Sequence, residues 1–140
     1  MPTRKASATW TGGLKGGTGS YKGETGIGGA YNFGSRFESG TGSNPEELLA
    51  AAEAACFSMA LSGTLEKNGT PPTKIETSAA CTVEKVGEQM TITKMELRVK
   101  GTAPGVDQAT FQRLANETKD GCPVSRALAG VKISVSAELA

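Results

Sequence analysis

The segment that decides the fold is Asn44–Leu61, NPEELLAAAEAACFSMAL, which has the pattern of a long helix. Asn44 is a favourable N-cap, Pro45 fits the first helical position, and Glu47 follows the cap by three residues, as in a capping box. We expect the helix to end near Asn68 and Gly69, which precede two prolines. Apolar residues recur at spacings of three and four, at Leu48, Leu49, Ala52, Ala55, Cys56, Met59 and Ala60.

A cysteine in such a helix has two interpretations. Cysteine often serves as a small apolar residue in a core. Apolar surroundings also raise the pKa of a thiol, because they disfavour the charged thiolate. Cys56 is therefore either packing or a reactive thiol to which the fold brings a cation, and the helix pattern leaves both open.

The segment before this helix is rich in glycine. From Ala6 to Trp10 small and apolar residues alternate with polar ones, which predicts a strand. The following GGLKGGTGSYKGETGIGGAYNFGSRFE indicates turns and irregular strand rather than helix. It lacks GxxxxGK[ST], so no phosphate-binding loop is predicted.

The segment after the helix predicts a hairpin, two helices and a last strand. Residues 74–101 alternate as two strands around VGEQ, with Cys81 facing the core. Asp107 should cap a helix that ends at Gly121, a short helix should begin at Pro123, and VKISVSAELA should be a strand. We predict one α+β domain over residues 1–140, with a mostly antiparallel sheet packed on a long central helix and a second helix.

Composition excludes several classes of protein. With 15 basic and 14 acidic residues the net charge is +1, which provides no strong field for nucleic acid or an anionic membrane. We expect no apolar run to approach the length of a membrane span, and MPTRKASATW lacks the apolar core of a secretory signal, so we expect a cytoplasmic protein. The chain has no histidine and no CxxC motif, which argues against imidazole metal sites, histidine bases and thioredoxin-like chemistry.

Two residues outside the helix are candidates for thiol chemistry. Cys122 precedes the short helix, whose N-terminus should favour a thiolate. Arg36, in SRFE, stands among aromatic residues that could hold its guanidinium near the core, although the residues alone favour a surface arginine paired with Glu38.

These segments together resemble a known family. RFE, GTGSNPEELLAAAEAACFSMAL and GCPVSRAL are similar to the motifs of the OsmC/Ohr family of osmotically inducible and organic hydroperoxide resistance proteins. The resemblance runs from about Ala8 to the C-terminus. It favours the OsmC branch, because CPVS replaces CPYS and no histidine precedes Cys122.

The resemblance implies a thiol-dependent peroxidase that reduces organic peroxides, with hydrogen peroxide as a second candidate substrate, in oxidative or osmotic stress. It assigns Cys56 as the peroxidatic cysteine, Cys122 as the resolving cysteine, Arg36 as the catalytic arginine and Glu46 as the carboxylate that holds Arg36. It implies no bound cofactor or metal, and an external thiol reductant for which a dihydrolipoyl protein is the candidate. Cys81 matches no family motif and is expected to be core.

The spacing of Glu46 and Cys56 raises a geometric question. They are ten positions apart, which on one straight helix is about 15 Å along the axis. Either the helix is interrupted, or Arg36 and Glu46 reach Cys56 of a partner subunit. The apolar helix surface favours the second option, and the resemblance implies an intertwined homodimer with composite sites.

Two further hypotheses concern alternatives and selectivity. Leu48, Phe57 and Met59 form either plain core or a pocket that prefers alkyl hydroperoxides. The main competing function is a non-catalytic, stress-related binding protein with inert thiols. A disulfide oxidoreductase is disfavoured by the lack of CxxC, and a thiol hydrolase by the lack of a histidine base.

Overall fold

The computed structural model describes residues 1–140 and confirms the α+β class. In chain order the elements are β1 (Ala6–Thr11), β2 (Thr18–Gly23), β3 (Gly28–Tyr31), α1 (Phe33–Phe37), α2 (Pro45–Lys67), β4 (Lys74–Val86), β5 (Gln89–Thr102), α3 (Gln108–Gly121), α4 (Pro123–Ala127) and β6 (Lys132–Leu139). The strands form two three-stranded sheets. The chain divides into two compact units, Met1–Leu48 and Leu49–Ala140, which are described separately. A single domain over residues 1–140 remains a prediction.

The first unit is built around an antiparallel sheet in the order β1-β2-β3. Its glycines make room for aromatic rings: a Cβ on Gly19 would lie 2.6 Å from both Trp10 and Tyr31. The expectation that this glycine-rich region contains no helix is wrong for α1. Asn32 and Ser35 form a reciprocal capping box there, which supplies the backbone partners that so short a helix lacks.

The second unit contains the predicted hairpin. Strands β4 and β5 are antiparallel, with Gly87 at φ +64° in the turn, and β6 pairs in parallel with β5. The core between this sheet and the helices is formed by apolar side chains of α2, β5, α3 and β6. They are Phe57, Leu61 and Leu65 of α2, Met95, Leu97 and Val99 of β5, Ala103 after β5, Phe111, Leu114 and Ala115 of α3, and Ala137 of β6. Cys81 on β4 packs against this core, as predicted.

Helix α3 lies against the outer edge of β6. Asp107 caps the helix by accepting from the Thr110 amide, as predicted. The side chains of Gln108 and Gln112 donate to the Ala137 and Val135 carbonyls and accept from the Leu139 and Ala137 amides. The side-chain amides of the two glutamines take the place of a neighbouring strand. They protect the edge of the sheet and fix the position of α3, which leads to Cys122.

The predicted ends of α2 are confirmed. Asn44 Oδ1 accepts from the Glu47 amide, Pro45 is the first helical residue, and the helix ends at Lys67 before Gly69 at φ +81°. The expectation that no apolar run approaches the length of a membrane span is wrong. At 23 residues and with a window of mean hydropathy 1.5, α2 is long and apolar enough to span a membrane, a test that core helices also pass.

Gly101 on β5 provides a test of the core. A Cβ at this position would lie 2.5 Å from the ring of Phe111, which is fully buried. Because the ring cannot retreat within a packed core, we expect Gly101→Ala to lower the free energy of unfolding by about 1–3 kcal/mol in urea denaturation. The control is Gly130→Ala, where a Cβ meets nothing within 4 Å. Equal stability of the two variants would contradict the proposed close packing.

Candidate functional site: a buried thiol pair and an arginine–carboxylate pair

Cys56 and Cys122 lie against each other in the second unit. Cys56 is half-buried in α2, whereas Cys122 is fully buried at the junction of α3 and α4. The Cys122 thiol donates to Cys56 Sγ, with 3.0 Å between the sulfurs, and both cysteines are free. Because a disulfide requires an S–S distance of about 2.05 Å, the two sulfurs need to approach by only about 1 Å to be joined.

The pKa of Cys56 is raised above its ordinary value. Burial is the largest cause, and the hydrogen bond with Cys122 adds to it. The amide of Val124 donates to Cys56 Sγ and lowers the pKa, while the charges of Cys122 and Glu53 raise it. The net effect favours the protonated thiol, so a reactive Cys56 still requires a cation.

The first turn of α4 contacts Cys56. The side chain of Cys122 makes no capping hydrogen bond, whereas the backbone of Val124 bonds to Cys56. The expectation that the N-terminus of α4 favours a Cys122 thiolate remains a prediction. Sequence reasoning missed this contact because it depends on how α4 packs against α2.

Glu53 is a site residue that sequence reasoning missed. It lies in α2 three residues before Cys56 and is 0% exposed. Its Oε1 accepts a hydrogen bond from Ser125 Oγ in α4, and its Oε2 has no hydrogen-bond partner. The available signal was a single carboxylate within the apolar run that contains the cysteine.

Arg36 and Glu46 form an ion pair in the first unit. Arg36 Nη2 lies 2.9 Å from Glu46 Oε1, and Arg36 Nε donates to both carboxylate oxygens at 3.2 and 3.3 Å. The carboxylate is buried, but the arginine side chain is 36% exposed and stacks 5.0 Å from the Phe37 ring centroid. The partner of Arg36 is thus Glu46 rather than Glu38. Since the pair occupies one edge of the guanidinium, Nη1 remains available to a ligand.

A cavity of about 260 Å³ lies beside Arg36, and it differs from the pocket that the sequence suggested. Phe57 is fully buried in the core, as the plain-core interpretation expects, whereas Met59 is 81% exposed and does not belong to the core of this chain. The cavity is instead lined by Trp10, Leu14, Tyr31, Asn32, Phe33, Arg36 and Phe37. It offers an alkyl or aryl group an aromatic surface with one cation at its wall.

The chain resembles characterised proteins along most of its length. The family described as OsmC-like protein matches residues 38–136. Peroxiredoxin OsmC of Escherichia coli (strain K12) is 44% identical over 127 residues, covering 89% of both chains. The organic hydroperoxide resistance protein of Xanthomonas axonopodis pv. citri (strain 306) is 32% identical over 102 residues, covering 72% of this chain and 69% of that protein. The crystal structure of OhrB of Bacillus subtilis, an organic hydroperoxide resistance protein, superposes with a TM-score of 0.74 at 25% identity, covering 96% and 98% of the two chains.

The short distance between the thiols makes a specific prediction. A mild thiol oxidant such as diamide should join Cys56 to Cys122 and leave Cys81 reduced, because the first two sulfurs are 3.0 Å apart. Peptide mapping by mass spectrometry identifies the bond. Cys81→Ala, the matched control, should give the same disulfide in the same yield. A disulfide that includes Cys81 would contradict the geometry.

Proposed function

Because the chain belongs to the OsmC-like protein family, we propose that it is a thiol-dependent peroxidase that reduces organic hydroperoxides, and also hydrogen peroxide, in stress defence. The observation that carries this function is the 3.0 Å contact between Cys56 and Cys122. Two inert thiols do not require such an approach, which disfavours a non-catalytic binding protein.

The first step oxidises Cys56. Its thiolate attacks the nearer oxygen of the peroxide, so that an S–O bond forms, the O–O bond breaks and the departing alkoxide takes up a proton. Cys56 is the better nucleophile of the two by position, because it is half-buried whereas Cys122 is completely buried. The product on the protein is a Cys56 sulfenic acid.

The second step resolves the sulfenic acid. Cys122 attacks the Cys56 sulfur, the S–O bond breaks, and the Cys122 proton leaves with the hydroxide as water. The resulting disulfide protects Cys56 from irreversible oxidation. An external dithiol, for example a dihydrolipoyl protein, then restores both thiols by exchange, and the protein itself holds no cofactor.

Arg36 is the cation that the first step requires. A guanidinium near Cys56 offsets the burial that raises the pKa of this thiol, and its unused Nη1 edge binds the peroxide oxygens. Glu46 binds the opposite edge of the guanidinium and so fixes the direction in which Nη1 points. The aromatic cavity beside Arg36 accommodates the organic group of the substrate.

The proposed active protein is a homodimer with two composite sites. Helix α2 runs without interruption from Pro45 to Lys67, which supports the composite site over the alternative of an interrupted helix. Ala51, Ala55 and Met59 form an exposed row on α2 at spacings of four, although the helix is apolar. A second copy of α2 would cover this row and bring the partner's Arg36 to Cys56.

Location in the cytoplasm remains a prediction.

Peroxide oxidation followed by mass spectrometry tests the reaction. One equivalent of cumene hydroperoxide should convert the reduced protein to the Cys56–Cys122 disulfide. Cys122→Ser should instead accumulate sulfenic acid and its overoxidised products at Cys56, and Cys56→Ser should not react. Cys81→Ser, the matched control, should behave like the wild type. If every variant remained reduced, both thiols would be core residues and the peroxidase function would be wrong.

Complementation between subunits tests the composite site. Arg36→Met and Cys56→Ser should each abolish peroxide reduction as homodimers. After the two are mixed, denatured and refolded together, each mixed dimer contains one intact site, made of one subunit's Cys56 and the other's Arg36. Activity should therefore return to about half the wild-type value per mixed dimer. No recovery from mixed dimers isolated by two affinity tags would place the whole site within one subunit.

A further inference from the structure

Glu53 is an unexpected group at the centre of the second unit. It is the only fully buried carboxylate, and one of its oxygens lacks a hydrogen-bond partner. Burial of a carboxylate without complete pairing lowers the stability of the fold, because the group loses its solvation. An alanine or leucine at this position of α2 would carry no such desolvation penalty. Buried groups that lower stability in this way tend to be retained for function.

The partner of Glu53 links it to the thiol pair. Glu53 is three residues before Cys56 on α2, and Ser125 is three residues after Cys122 on α4. The Ser125–Glu53 hydrogen bond therefore joins the two thiol-bearing segments about one helical turn from each sulfur. Since α4 has only five residues, its own backbone hydrogen bonds do little to fix its position.

A second contact with α2 lies on the other side of Cys122. The hydroxyl oxygens of Thr118 on α3 and Thr64 on α2 lie 3.0 Å apart, within hydrogen-bond distance, which helps to fix the chain before Cys122. The chain after Cys122 is held to α2 by Ser125. One hydrogen bond before Cys122 and one after it thus hold the Cys122 sulfur opposite the Cys56 sulfur.

We infer that the Glu53–Ser125 hydrogen bond is the positioning device of the resolving step, which rests on the peroxidase function proposed above. It holds α4 so that Cys122 Sγ attacks the Cys56 sulfenic sulfur as soon as that group forms. The attack forms the S–S bond, breaks the S–O bond and releases water that carries the Cys122 proton, so no further reactant is needed. Glu53 thus sets how fast the disulfide forms relative to overoxidation of Cys56.

The test separates the two chemical steps by rapid quench with thiol-blocking reagents and mass spectrometry. In Ser125→Ala we expect disulfide formation to slow roughly ten- to a hundredfold, because misplacement of a reacting group by about 1 Å costs that much. Formation of the Cys56 sulfenic acid should stay near the wild-type rate. Sulfinic acid should then appear at a lower peroxide concentration.

Two variants control for the chemistry of the substitution. Glu53→Gln retains an oxygen that accepts from Ser125, so its disulfide should form at close to the wild-type rate. Ser58→Ala removes a hydroxyl of the same kind from α2, one that donates to Thr77 of β4 at 2.7 Å, and should leave both steps unchanged. If Ser125→Ala does not fold, Glu53→Leu removes the acceptor without a buried charge and should show the same slow resolution.

The outcomes distinguish this inference from the function on which it rests. Wild-type resolution in Ser125→Ala, or equal slowing of both steps, would overturn the positioning role and leave the peroxidase intact. Slow resolution in Ser58→Ala as well would also overturn it, because any loss of a hydroxyl would then suffice. A wild-type Cys56 that resists peroxide would overturn both proposals.

Discussion

Burial opposes the ionisation of Cys56, and the other features of the site follow from this constraint. A thiol in an apolar helix loses solvation when it becomes a thiolate, and the neighbouring Cys122 and Glu53 add to the rise in pKa. The amide of Val124 offsets only part of this rise. A charge acts more strongly on a half-buried group than on a group in bulk water. One correctly placed guanidinium can therefore change Cys56 from an unreactive to a reactive thiol.

Helix α2 carries one residue of each pair. Glu46 lies in its first turn and Cys56 near its middle. The weakly amphipathic, alanine-rich surface that made α2 resemble a membrane span is consistent with close packing against another helix. In the proposed dimer the same apolar surface thus provides the interface and brings the two halves of the site together.

The sequence predicted those parts of the fold that local signals determine. Asn44, Asp107 and Pro123 start their helices because capping and proline geometry act within one turn, and alternation identified the β4–β5 hairpin. Helix α1 was missed because its capping box is embedded in glycine-rich sequence. The division of the strands into two sheets is a matter of long-range pairing, which alternation does not encode.

The candidate site was predicted to different extents for the same reason. Family motifs pointed to both cysteines, Arg36 and Glu46, and the structure places them in two close pairs. Glu53 was counted only as a break in an apolar surface. Its role depends on Ser125, which is 72 positions away, and no local pattern relates the two.

The geometry of the Arg36–Glu46 pair explains why the cation is arginine. Glu46 engages the edge formed by Nε and Nη2, and the planar group then presents Nη1 in a fixed direction. A lysine has a single ammonium centre. If a buried carboxylate held that centre, the lysine would have no separate donor in a fixed direction for the substrate. Because Glu46 is buried while Arg36 remains 36% exposed, the carboxylate anchors the pair and the guanidinium is its accessible face. In the proposed reaction, this accessible face is the part of the arginine that would stabilise the charge that develops when the peroxide bond breaks.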